Sequence, residues 1–261
     1  MKERHSEGTR ILTLTQSNFI TTEISNNKSE KLWQIPIKVI NQFSPFTACA
    51  EVLMKGKELE VKVKDVWEGE WVKINHNSIG FFRVNYPQEI LNRFTHSIED
   101  KSMPAMDRLN ILSDLFANIQ SGRVSTPIGL KYLLHYKNDD NSAVWTYILG
   151  LIRKLDLLFS DTDLRENFWS FGRELLSGLR DKFGWDPKKD EDIRVSQLRP
   201  QILELLATFR DKKVIAEGIK RFEDIKSEES NATEEVVVVV YKIVGSNCEQ
   251  DTFEDFFEVN N

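Results

Sequence analysis

The chain has 261 residues, 40% hydrophobic and 10% aromatic, which is enough apolar material for one large buried core or two smaller ones. A formal net charge of −6 runs against the concentrated Lys and Arg that binding to a phosphate backbone requires, so no nucleic-acid partner is expected. The longest unbroken apolar run, Val236 to Tyr241, falls far short of the roughly 20 residues of a membrane span, the opening Met1-Lys2-Glu3-Arg4-His5 starts no secretory signal, and two cysteines, Cys49 and Cys248, exclude a disulfide framework, leaving at most one long-range bridge. This balance suits a soluble protein, with no membrane partner, in a reducing compartment.

Residues 11 to 86 alternate with a period of two. Leu12 and Leu14 alternate with Thr13 and Thr15, Trp33, Ile35, Ile37 and Val39 with polar residues and Pro36, and Leu59, Val61 and Val63 with Glu60 and Lys62. This is the pattern of half-buried strands. The turn-forming stretches Ser25 to Ser29, Asn41 to Pro45 and Glu68 to Gly69 separate them at the spacing of a small antiparallel sandwich. Pro36 has no N–H to give a ladder, which predicts an edge strand or a bulge there.

After Pro87 the period becomes helical. Ser102 and Pro104 open a helix with Leu109, Leu112, Phe116 and Ile119 on one stripe and Gly122 to end it, and Thr126-Pro127 start another. From Leu164 an apolar stripe runs through Phe168, Phe171, Leu175, Leu179 and Phe183 to Gly184. Two more stripes follow, Leu198, Ile202, Leu205 and Phe209, then Ile215, Ile219 and Phe222. Val236 to Val240 is β-branched throughout, yet Thr233, Glu234 and Glu235 ahead of it suit a helix start, and a helix is predicted. Helices with one apolar face and short loops stack in antiparallel pairs.

The sequence contains no catalytic constellation. His5, His76, His96 and His135 are never four apart and none precedes a Glu as a thermolysin-type zinc helix requires, so they read as surface or loop residues. No Gly-x-Ser-x-Gly run is present, no two of the 12 glycines are separated by a single residue, and the two cysteines read as buried thiols. The acidic clusters Asp139-Asp140, Asp161 with Asp163, and Asp190-Glu191-Asp192 each precede a predicted helix and read as caps.

Several stretches resemble one family. Trp71-Val72-Lys73-Ile74-Asn75 with Gly80-Phe81-Phe82-Arg83-Val84-Asn85-Tyr86 is similar to the strand pair that closes the small sandwich of gluzincin zinc aminopeptidases. Asp107-Arg108-Leu109 through Asp114-Leu115-Phe116, Gly184-Trp185-Asp186-Pro187-Lys188, and Leu198-Arg199 resemble their C-terminal helical domain in the same order. Trp185 to Lys188 and Val66 to Asn75 point to the puromycin-sensitive, cytoplasmic branch. The resemblance implies an α+β multidomain chain: residues 1–86 a β-sandwich domain lacking its first strand or strands, and residues 87–261 a truncated α-helical C-terminal domain, an irregular solenoid of HEAT/armadillo type.

Its functional implication is a non-catalytic C-terminal region of a zinc aminopeptidase that covers the active-site cleft and shapes the access of peptides. The partners are then the catalytic domain of the parent enzyme and peptide substrates. Zinc belongs to that catalytic part, and no cofactor is expected in this chain. The alternative is a free-standing helical solenoid binding peptides or proteins on its concave face. Trp71, Asn75, Gly80, Arg83, Tyr86, Asp107, Arg108, Asp114, Trp145, Trp185, Leu198 and Arg199 are read as framework. Within it, Arg108, Asp107 and Asp114 would form one salt-bridge network, and Trp71, Trp145 and Trp185 would anchor packing. Arg83 and Arg199 have as an alternative role the holding of a peptide carboxylate. The apolar segments Val236 to Val244 and Phe253 to Phe257 are expected to form an uncovered patch, with self-association or a loosely held end beyond about residue 226.

Overall fold

The computed structural model describes residues 1–20, 31–227 and 232–247. The expected turn at Ser25 to Ser29, Cys248, and Phe253 to Phe257 lie outside them. Two compact units divide at Asp139 and Asp140.

The first unit carries two three-stranded antiparallel sheets. One is ordered β1 (Lys2–Ser6), β2 (Thr9–Thr15), β5 (Glu58–Lys64); the other is β4 (Ala50–Met54), β3 (Ile35–Asn41), β6 (Val72–Ile74). Alternation places Leu12, Leu14, Val61, Val63, Ile37 and Val39 in the core, all 4% exposed or less. Pro36 pairs with Leu53 of β4, whereas β6 joins β3 only from Val39 to Asn41, so the proline stands where the strand has a neighbour on one side. Arg10 is also interior. Its guanidinium bonds Glu3 at 2.9 Å and the carbonyls of Trp67 and Glu68 at 2.6 and 2.8 Å.

Residues 80–86, expected as a strand, form none; the Val84 amide and carbonyl are taken up instead by the side chains of Asp114 and Asn118, and those of Gly80 by the side chain of Asn75. Helices α1 (Gln88–Glu99), α2 (Ala105–Gln120) and α3 (Thr126–Leu133) complete this unit, so the compact boundary falls about fifty residues beyond the change of period at residue 87.

The second unit contains α4 (Ser142–Phe159), α5 (Arg165–Phe183), α6 (Ile193–Thr208), α7 (Lys212–Lys226) and α8 (Glu234–Asn247). Consecutive helices touch, and α6 also reaches α4 and α8. Gly172 sets the approach of α5 to the end of α6, since a Cβ there would lie 2.4 Å from the Phe209 ring. Gly184, at φ 63°, ends α5. The stripe of α7 is rotated from the expected one: Val214, Gly218 and Phe222 face inward, and Ile219 is 42% exposed.

Val236 to Val244 is helical as expected and most of its apolar side chains are covered, although Val238 is 50% exposed. Val236, Val240 and Val244 pack against Phe222, while Val239 and Ile243 are also buried. Neither helix ends nor acidic clusters behave uniformly. Asp192 caps α6, but α4 is capped by Asn141, and α5 starts at Leu164 with no side-chain cap. Cys49 is exposed and not buried.

Candidate functional site

The most elaborate polar construction lies along α2. Asp107, Asn110, Asp114 and Asn118 recur at steps of three and four, so a helix places them on one face. All four are buried, and the face is covered by β6 and the irregular segment that follows it. An extended segment without a ladder leaves peptide groups that must be satisfied when buried. This polar face satisfies them. Asp107 accepts from the Asn77 amide at 2.9 Å, Asp114 accepts from the Val84 amide at 3.1 Å, and Asn118 donates to the Val84 carbonyl at 3.0 Å.

Lys73 sits at the centre, fully buried, with Nζ 2.8 Å from Asp107 and donating to Asn110 at 2.9 Å and the Asn75 carbonyl at 3.0 Å. Burial lowers its pKa, and Asp107 opposes that shift. His76, 6% exposed, stands 3.2 Å from the other Asp107 oxygen, so it lies in the turn expected for it but with its ring in the interior. Asp114 pairs with Arg83 at 3.1 Å. Burial pushes its carboxyl from 3.8 up to about 6, with the Arg83 hydrogen bond pulling the other way.

The segment held by this face is strained and braced. Asn75, Asn77 and Ser78 all have positive φ, at 64°, 55° and 57°, a conformation costing a non-glycine residue about 1 kcal/mol or more. The Asn75 side chain accepts from the Gly80 amide at 2.8 Å and donates to the Gly80 carbonyl at 3.1 Å. Gly80 itself is fixed sterically, because a Cβ would lie 2.2 Å from the Phe82 ring. Tyr86 then closes the segment. Its hydroxyl donates to the Ile74 carbonyl at 3.1 Å and accepts from the Ile74 amide at 3.2 Å, and its ring meets Phe94 edge-on. Burial holds the Tyr86 phenol well above its ordinary pKa.

Arg108 does not join this network. It turns to the opposite side and takes both oxygens of Asp139, at 2.7 and 3.0 Å. Asp139, expected as a cap, is the buried acid of that pair. The geometric reason is helical: adjacent residues on α2 differ by about 100° in direction, so Asp107 and Arg108 cannot face one partner. Trp71, 1% exposed, donates its indole N–H to Ser97 at 2.9 Å, and Trp145 is equally buried in α4.

In the second unit Trp185 is half-buried, packing against the Phe222 and Val240 cluster with the Arg221 guanidinium 5.0 Å from its ring. Asp186 binds Arg221 through both oxygens, at 2.8 and 2.7 Å. Leu198 is buried on α6. Arg199 forms part of a pocket of about 220 Å³ with Pro187, Pro200, Leu203 and Val236. Its Nη2 is held by Glu191 at 2.5 and 2.6 Å, so a carboxylate of this chain already occupies that nitrogen. The Arg83 side chain is 42% exposed and bonds Ser113 and Asp114 through one nitrogen.

Among the described residues no three His, Cys, Asp or Glu side chains converge as a metal site, and no helix is long and apolar enough to cross a membrane. The acids and histidine of the α2 face are committed to lysine, arginine and peptide groups.

A family model, the ERAP1-like C-terminal domain, matches residues 71–261. The chain belongs to this family, the C-terminal region of M1 aminopeptidases. It is 29% identical over 228 residues to the puromycin-sensitive aminopeptidase of Caenorhabditis elegans, covering 86% of this chain and 24% of that protein. Aminopeptidase M1-D of Oryza sativa subsp. japonica is 28% identical over 155 residues, 59% of this chain and 18% of the relative. Tricorn protease-interacting factor F2 of Thermoplasma volcanium is 26% identical over 204 residues, 78% and 23% respectively. The chain thus spans about a quarter or less of the length of these curated relatives.

Proposed function

We propose that this chain is the non-catalytic C-terminal region of a cytoplasmic zinc aminopeptidase, which works with the catalytic part of the enzyme to cover its cleft and limit the peptides admitted. One observation carries the reading: the match is to a C-terminal domain and spans only about a quarter of aminopeptidases such as the worm enzyme. The polar groups of the first unit support it, since they brace backbone and do not converge on a reactant. In this reading the helices of the second unit form an irregular solenoid whose concave face meets peptides. Arg83 is the better placed of the two arginines to reach a peptide carboxylate, because Arg199 is buried and paired with Glu191.

Elemental analysis of the purified chain, paired with an assay for release of N-terminal residues from peptides, tests the non-catalytic assignment. The expected result is no stoichiometric zinc and no release. Zinc at one equivalent per chain, with turnover that survives repurification, would overturn it.

A further inference from the structure

Lys73 and Asn110 meet inside the first unit. Lys73 is the middle residue of β6 and Asn110 stands on the polar face of α2, 37 residues away along the chain. They are 0% and 4% exposed, and Lys73 Nζ donates to Asn110 Oδ1 at 2.9 Å. The amide carbon lies one C=O bond, about 1.2 Å, from that oxygen, which puts Nζ within about 4 Å of Cγ. Two buried carboxylates flank the pair. Asp107 holds Nζ at 2.8 Å, and Asp114 accepts from Asn110 Nδ2 at 3.4 Å.

An amine and an amide in water do not condense at a useful rate, because the amine is protonated and the encounter is dilute. Both obstacles are lowered in this interior. Burial lowers the Lys73 pKa against the pull of Asp107, and desolvation is one of the ways a lysine becomes a nucleophile. Fixed juxtaposition replaces the encounter, with effective molarities of about 10⁵ M or more for well-oriented groups. Burial also raises the Asp114 carboxyl to about 6, which suits a proton relay near neutral pH.

We propose that Lys73 and Asn110 condense into an intramolecular amide bond joining β6 to α2, with Asp107 and Asp114 moving the protons. The reactants are two side chains of the chain itself. In the freshly folded chain Asp107 pairs with the Lys73 ammonium, and the stability of that ion pair belongs to this unreacted state. Asp107 takes one proton from Nζ, and Nζ attacks Cγ. A second Nζ proton passes by way of Asp114 to Nδ2 as the Cγ–Nδ2 bond breaks. Ammonia leaves with the Asp107 proton as ammonium, so the Asp107 carboxylate is restored and nothing is oxidised or reduced. The product fastens β6, which pairs with β3 only from Val39 to Asn41, to the helix behind it. It restrains the unfolded chain as a disulfide does, but thiols do not cut it.

The test is the intact mass of the purified wild-type chain, shown by near-UV circular dichroism to be folded, kept for several days at neutral pH and then denatured. The chain is expected to become lighter by the mass of one ammonia. Trypsin, which does not cut after an acylated lysine, should then release one branched peptide in which residues 65–83 are joined to residues 109–123. Lys73→Arg and Asn110→Ala are each expected to keep their full mass, and Asp107→Asn to slow the reaction by about 100-fold or more. An unchanged mass in the folded wild-type chain overturns the proposal, and so does a loss of ammonia that maps to any other peptide.

Discussion

Replacing Asp107 with alanine is expected to destabilise the first unit by about 3–5 kcal/mol, because it leaves the Lys73 ammonium buried without its counter-charge. The loss includes the acceptor of the Asn77 amide and the partner of His76, so the segment from Asn75 to Arg83 should lose protection along with the global fold. Replacing both members, as in Lys73→Met with Asp107→Leu, removes the uncompensated charge and should cost much less than the two single changes added together. Urea denaturation of the three variants gives the comparison, and hydrogen exchange of residues 72–116 localises it. A loss under about 1 kcal/mol for Asp107→Ala, or strict additivity, would mean that water reaches Lys73 in the folded state.

The second large effect is on pH dependence. The Asp114 carboxyl is raised to about 6 in the folded chain from 3.8, so the folded state binds a proton more tightly than the unfolded state between these values. Stability from this group is therefore fully present below pH 3.8 and is lost as pH rises through 6. At about 1.4 kcal/mol per unit the total reaches about 3 kcal/mol. The charged groups beside it are Arg83, bonded to it directly, and Lys73; both favour the ionised form. Other carboxylates, such as Asp186 held low by Arg221, push the whole-protein profile in the opposite direction. The informative quantity is the difference between wild type and Asp114→Asn, measured by denaturant titration from pH 4 to 7. Wild type is expected to lose stability relative to the variant as pH rises. Parallel profiles would show that Asp114 titrates at its ordinary value.

How much of this was legible from residue order depends on what periodicity can report. Strands β2, β3 and β5 and helices α2, α5 and α6 announced themselves because one face of each is apolar and buried. Strand β1, with the sequence Lys-Glu-Arg-His-Ser, carries no apolar residue and is held by its ladder to β2 and by polar side-chain bonds such as Glu3 with Arg10 and His5 with the Val66 carbonyl. Helix α4 is apolar over most of its circumference, with Leu157 and Leu158 exposed, so no single stripe stands out.

The α2 face escaped for a different reason. Asp107, Asn110, Asp114 and Asn118 have the spacing of a solvent-facing stripe, and polarity alone does not distinguish water from a buried backbone that needs partners. The individual residues Asp107, Arg108, Asp114 and Arg83 were identifiable from their resemblance to family motifs. Their pairing was not, because Lys73 and Asp139 are brought to them by the chain path alone. The run of left-handed residues at Asn75, Asn77 and Ser78 had a faint signal in the asparagines, which tolerate that conformation better than most residues.

The role proposed for this region is to govern which peptides an aminopeptidase catalytic part will accept. The most direct measurement compares hydrolysis rates for a series of peptides of increasing length, using the part of the worm enzyme outside its matched segment with and without this chain bound. Binding of the chain is expected to change the ratio of long-peptide to short-peptide cleavage while the zinc content of the catalytic part stays the same. An unchanged ratio across the series, with the complex fully formed, would contradict it.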